Sequence, residues 1–154
     1  FLRAVFKSQQ DTSELDRIFK ETMGLEKNTI EYGFFDDPHY SGLNTATLAA
    51  IHQEGWNNLP VRNFMTSADI LFREEDLPKY TAHVMKAIID GRGVNAALRK
   101  MANAAANRIQ WVINYGQFSN NQVSAEWAAR KGFSEAMYHY NDLVNSVRFK
   151  IGGV

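Results

Sequence analysis

Residues 94–115 constrain the fold more than any other part of this chain. Val94, Leu98, Met101, Ala105, Ile109 and Val112 recur at three- to four-residue intervals, the spacing of one helix face. The spacing predicts a long helix, bounded by Gly91 and Gly93 before it and Gly116 after it. Its middle is rich in alanine (Ala102, Ala104, Ala105, Ala106), and small side chains let a second helix or a sheet approach its axis closely. An apolar stripe of that length needs a cover, and the rest of the chain has to supply it.

Two segments suit that task. Over 29–35, Ile30, Tyr32 and Phe34 fall on one face of a strand, and Glu31, Gly33 and Phe35 on the other. Over 146–151 the alternation is strict, with Val147, Phe149 and Ile151 on one face. Both are predicted to lie in one antiparallel sheet, with those six apolar side chains near the long helix. Residues 1–7, carrying Phe1, Val5 and Phe6, read as a third strand.

Shorter helices are expected around this unit. One starts at Ser13 as N-cap, with Asp16 three residues on, and stops at Gly24. Another runs over 45–54, capped by Asn44 and ended by Gly55. A helical stretch at 63–73 precedes Asp76-Leu77-Pro78, which reads as a restart, with a capping acid and a first-turn proline. From there Leu77, Tyr80, Thr81, Val84, Met85 and Ile88 form a stripe to about Asp90. A short helix at 125–133 and one turn at 140–145 complete the pattern. The expectation is a single α+β domain over 1–154: a small antiparallel β-sheet packed against a long α-helix with additional short helices. No internal repeat or linker interrupts it.

Composition narrows the function. Among 154 residues, 17 Lys+Arg balance 17 Asp+Glu, and there is no cysteine. Neutrality argues against a protein whose main task is gripping nucleic acid, and it favours association. Without cysteine, disulfides and thiol chemistry are excluded. No apolar run approaches the roughly 18 residues that span a bilayer. The opening FLRAVFK is too short for a signal-peptide core, and its lack of Met implies a processed or incomplete start.

Catalytic motifs are missing. The histidines His39, His52, His83 and His139 form no metal-binding spacing. His39 beside Asp36 and Asp37 is the nearest approach to a cluster, and a solvated acidic loop explains it without chemistry. Gly91-x-Gly93 is no phosphate-binding fingerprint, and reads as a helix end and turn. Glu74-Glu75-Asp76 reads as a solvated run at a helix terminus. No cofactor or metal is expected. Trp56, after a helix stop and before Asn57-Asn58, reads either as an interface anchor or as a staple for its own loop. Arg148 and Lys150 point outward on the last strand, as edge guards or as subunit contacts.

Three short motifs carry a resemblance. Tyr32-Gly33-Phe34-Phe35 matches a strand of the form VGxF. Ala50-Ile51-His52-Gln53-Glu54-Gly55 matches a helix end A-x-x-H/N-E-x-G, with Gln53 where Glu is usual. Leu59-Pro60-Val61-Arg62-Asn63-Phe64 matches I-P-x-R-P-F, with Asn63 replacing the second Pro. Near the C-terminus, Ala129-Arg130-Lys131-Gly132 and the segment 141–147 follow in the same order, without the usual Thr-Gly pair and its preceding Pro-Leu. In these features the chain resembles the tail-completion and head–tail joining proteins of long-tailed phages, the family of lambda's tail protein Z and Mu's virion morphogenesis protein. The likeness touches about 1–64 and 117–151, whereas 67–115 matches in helical character only.

The resemblance implies a virion structural protein without an active site, assembled in the host cytoplasm into a ring at the head–tail junction. Its expected partners are copies of itself (six favoured, twelve possible) and other phage neck, portal-adaptor and tail proteins. DNA would pass through the ring without sequence-specific binding, and no membrane is involved. Asp36, Asp37, His39, Tyr40, Trp56 and Arg62 are the expected subunit or neighbour contacts, on the loop 36–44 and the segment 56–62. The 67–91 helices are expected to supply a second surface. Gly33, Gly55, Pro60 and Phe64 are the structural residues: Pro60 fixes a turn, Phe64 plugs the core, and Arg62 can also hold the loop by pairing with a carboxylate or carbonyls. A tail terminator or head-closure ring is the alternative in the same virion. A small hydrolase using His39 or His52, and a cellular adaptor binding through helices 77–90 and 94–115, are the readings from other classes.

Overall fold

The computed structural model describes residues 11–39, 42–55, 61–115 and 141–152. The expected strand at 1–7 and helix at 125–133 lie outside them. In chain order the elements are α1 (Ser13–Gly24), a 3₁₀ turn (Leu25–Lys27), β1 (Thr29–Gly33), α2 (Thr45–Glu54), α3 (Phe64–Leu71), a π-turn (Phe72–Asp76), α4 (Leu77–Ile89), α5 (Asn95–Tyr115), α6 (Asn141–Asn145) and β2 (Arg148–Gly152). The fold is α+β: mostly helical, with a two-stranded antiparallel sheet packed against helices.

The alanine-rich helix α5 is the spine. It packs against α3, α4 and both strands. Along its C-terminal half, Ala106, Ile109, Val112 and Ile113 share one core with Leu48 and Ala49 of α2, Phe64 and Ala68 of α3, and Leu143, Val144 and Val147. Along its N-terminal half, Leu98 joins Val84 and Ile88 of α4, edged by Ile18, Ile30, Met101 and Ile151. Ala102 and Ala105 are fully covered, which is the close approach that the small residues permit.

The sheet follows the alternation of its two segments. β1 and β2 pair antiparallel with Ile30 opposite Ile151 and Tyr32 opposite Phe149. Ile30, Tyr32, Phe34, Phe149 and Ile151 pack onto the two α5 cores, and Val147 belongs to the first. β1 stops at Gly33, whose φ of +135° is open to glycine alone, and an added Cβ would lie 3.0 Å from Met65 Cε.

Three boundaries differ from expectation. Thr12, not Ser13, is the residue before α1, and Asp11 Oδ1 accepts the Ser13 N–H at 3.0 Å. Gly24 keeps a right-handed φ of −63°, and the chain runs on into the 3₁₀ turn instead of stopping. α4 does begin at Leu77 with Pro78 in its first turn, but Asp76 does not cap it, and α3, the π-turn and α4 form one continuous helical run. Proline lacks an N–H and clashes with the carbonyl four residues back in a regular α-helix. Here the turn widens, the Leu77 N–H bonds to Phe72 O, and the run passes Pro78 unbroken.

Candidate functional site

The loop between β1 and α2 is tightly folded. Phe35 O accepts both the Thr45 hydroxyl at 2.6 Å and the Ala46 N–H at 3.2 Å. The Thr45 N–H bonds to Asp37 O at 2.8 Å, and the His39 N–H to Leu43 O at 3.0 Å. Pro38 and Asn44 pair across the loop, and Asn44 Oδ1 caps α2 by accepting the Thr47 N–H at 2.7 Å. The start of α2 thus anchors the loop through backbone bonds.

Of the expected contact residues, Asp36 is exposed and Asp37 is half-buried, where it pairs with Arg148 at 2.7 Å. His39 is buried. Tyr40, Trp56 and Pro60 lie outside the described residues. Arg62 is 2% exposed, which corrects its reading as a surface contact. Its Nη1 lies 3.2 Å from His52 Nδ1, and its N–H bonds to His52 O at 3.0 Å. Arg62 and His39 therefore serve the interior, and Arg62 ties the segment before α3 to the end of α2.

The structural residues form one assembly. Gly55 closes α2 with its N–H on Ile51 O at 3.0 Å. Phe64 is fully buried and meets Phe34 edge to face at 5.9 Å. Gln53 clamps the start of α3: its Oε1 accepts the Met65 N–H and its Nε2 reaches Thr66 Oγ1, both at 2.9 Å. The amide accepts from a backbone N–H and donates to a hydroxyl at once. Sequence reasoning noted Gln53 only as a departure from a motif.

Two further groups were not foreseen. Asp76 accepts Arg108 Nε at 2.8 Å and Nη2 at 3.0 Å, and Glu75 joins Arg108 at 3.1 Å. With Arg108 and Asp76 about one-fifth exposed, the acidic run is in part an α5 lock rather than a solvated terminus. The Tyr32 hydroxyl donates to Asp69 Oδ1, which also receives Arg73 on its other oxygen at 2.8 Å. Burial, reinforced by the Asp69 bond, pushes the Tyr32 phenol up to about 12, and Arg73 and Tyr32 hold the Asp69 carboxyl low. On the outer sheet face, the Lys150 ammonium sits 4.0 Å and the Arg148 guanidinium 5.2 Å from the Phe35 ring. Both outward cations thus have partners within the chain.

Among the described residues, no group of three or more His, Cys, Asp or Glu is placed to hold a metal ion, and no helix is long and apolar enough to cross a membrane. Among the described residues, large apolar side chains reach the surface at Leu43, Val61, Ile70 and Ile89, and in two groups that each gather on one helix. Leu15, Phe19 and Met23, on successive turns of α1, are 69%, 68% and 49% exposed, and α1 buries no residue. At the far end of α5, Trp111 and Tyr115 are 46% and 70% exposed, with ring centroids 6.0 Å apart. Arg17 fastens α1 to the end of α4 by donating to Ile88 O at 2.9 Å, which sets α1 beside the start of α5. At about 1.5 Å per residue, Trp111 lies roughly 25 Å along α5 from its first residue, Asn95.

Searches against protein-family models, curated proteins and solved structures found no match.

Proposed function

We propose that this chain is a virion structural protein of a long-tailed phage, a non-catalytic subunit of a ring at the head–tail junction. The observation that carries the reading is the pair of separated apolar patches, Leu15-Phe19-Met23 and Trp111-Tyr115. A ring of identical subunits joined head to tail needs two different surfaces on each subunit. Exposed apolar side chains gathered on one helix face mark interaction sites more often than they mark idle surface. Zero net charge lowers the repulsion between copies. The motif resemblance around Gly33, Gly55 and Phe64 supplies the virion context, and the residues of those motifs hold the loop and the α2–α3 corner rigid.

Native mass spectrometry and negative-stain imaging of the full chain test the reading. The expected result is a closed ring, six copies favoured and twelve possible. A chain that stays monomeric at micromolar concentration, and hydrolyses esters or phosphates in a manner lost on His39→Ala, would overturn it.

A further inference from the structure

The turn between α4 and α5 builds a basic cavity outside the two apolar patches. The turn itself is rigid. Gly91, at φ +69°, bonds its N–H to Ile88 O at 3.1 Å, and the Arg92 N–H reaches back to Ala87 O at 2.9 Å. This paired closure of a helix end leaves Arg92 at a position that usually carries an apolar residue packed on the last turn. Arg92 instead lines a cavity of about 380 Å³ with His83 and Lys86 of α4 and Lys100 of α5. Ala96 and Ala97, in the first turn of α5, form an alanine wall.

Two lysines, one arginine and one imidazole thus line one concavity. Asp90 is the acid beside them. Its Oδ2 accepts Lys86 Nζ at 3.0 Å and Arg92 Nη2 at 3.1 Å, which holds both cations at the rim while cancelling one charge. His83 stands edge-on to Tyr80 at 5.7 Å. The wall at Ala96 and Ala97 is the start of a 21-residue helix, where backbone N–H groups lack helical acceptors and the dipole favours an anion. The volume falls within the roughly 300–1,000 Å³ of small-ligand sites.

We propose that this cavity binds the phosphate groups of a compact, multiply charged ligand. A single carboxylate would leave cations at the site unmatched. Tetrahedral phosphate offers several acceptor oxygens and more than one negative charge, which suits a guanidinium, two ammonium groups and a helix start together. An oligophosphate and a stretch of nucleic-acid backbone share that chemistry. The overall neutrality of the chain favours the compact ligand over a long strand.

Titration with sodium tripolyphosphate, followed by calorimetry and by backbone amide shifts, tests the site. Binding should move the Ala96 and Ala97 amide signals. The double variant Lys86→Gln, Lys100→Gln should weaken it about tenfold or more. Arg73→Gln combined with Lys20→Gln, the same loss of two charges at exposed positions outside the cavity, should leave it unchanged. Lys86 is largely exposed, and so is Lys100, so the double variant should keep its far-UV spectrum. A short single-stranded DNA oligonucleotide that binds more tightly, with the same amide shifts and the same loss in the double variant, would identify a polymer backbone as the source of the phosphate. No binding at millimolar tripolyphosphate, binding that survives the double substitution, or shifts that avoid 96–97 would overturn the proposal.

Discussion

Tyr32 shows how one side chain can join the sheet to the helical layer. Its ring packs with the α5 core and meets Phe72 at 5.9 Å, while its hydroxyl reaches Asp69 on α3. An unfolded tyrosine titrates near 10 and the folded one near 12, so the neutral phenol is favoured by folding. That stabilisation is complete below about pH 10 and is lost as the pH climbs to about 12. Tyr32→Phe is expected to cost about 1–2 kcal/mol at neutral pH and to flatten the alkaline fall in stability, measured by urea unfolding at several pH values. An unchanged alkaline slope would show that the phenol does not contribute. Asp69 acts at the other end of the scale. Its depressed pKa supplies stability above the ordinary carboxylate range, and that stability is lost as pH falls through its lowered value. Alternation alone placed the Tyr32 ring against the helix. Its bond to Asp69 was not legible, because the partner is 37 residues away and no local rule links them. The burial of Arg62 was hidden for a similar reason: arginine is usually exposed, and only the return of the chain past His52 encloses it.

Among the elements, caps and periodicity gave most of the boundaries. Asn44 caps α2 as its residue type suggests, and Gly91 closes α4. The start of α4 was legible but its continuity with α3 was not, because acid-Leu-Pro is a start signal in isolation and the widened turn that absorbs Pro78 depends on packing. Asp76 keeps a helical backbone, with φ −100° and ψ −43°, and spends its carboxylate on Arg108 across the α5 interface. Removing it leaves a guanidinium that is 18% exposed with the outlying Glu75 and the Trp111 ring, 5.5 Å away, as its remaining partners. Asp76→Ala is therefore expected to destabilise the protein by about 1–3 kcal/mol in urea unfolding. The neighbouring Glu74→Ala, at an exposed position, should stay within about 0.5 kcal/mol. Equal effects of the two substitutions would return the acidic run to a merely solvated face.

For the molecule as a whole, the long helix and two alternating strands were enough to state the α+β layering and the pairing of segments more than a hundred residues apart. The site was less legible. The sequence pointed to polar loop residues as contacts, because loops carry recognition and Trp and Arg anchor interfaces. The fold draws Arg62 and His39 inward and leaves apolar residues of α1 and α5 outside. The exposure of α1 was not legible, since periodicity reports that a face is apolar but not what covers it. If the two patches are the opposite halves of a head-to-tail contact, they meet each other and never themselves. Native mass spectrometry of Phe19→Asp and Trp111→Asp, each alone and then mixed, tests this most directly. Each variant alone should be monomeric, because every contact it could form lacks one half. The mixture should yield a one-to-one heterodimer that grows no further, through the intact Trp111 patch of one chain and the intact Phe19 patch of the other. Homodimers of either variant, or a mixture that stays monomeric while the unmodified chain assembles, would contradict the account.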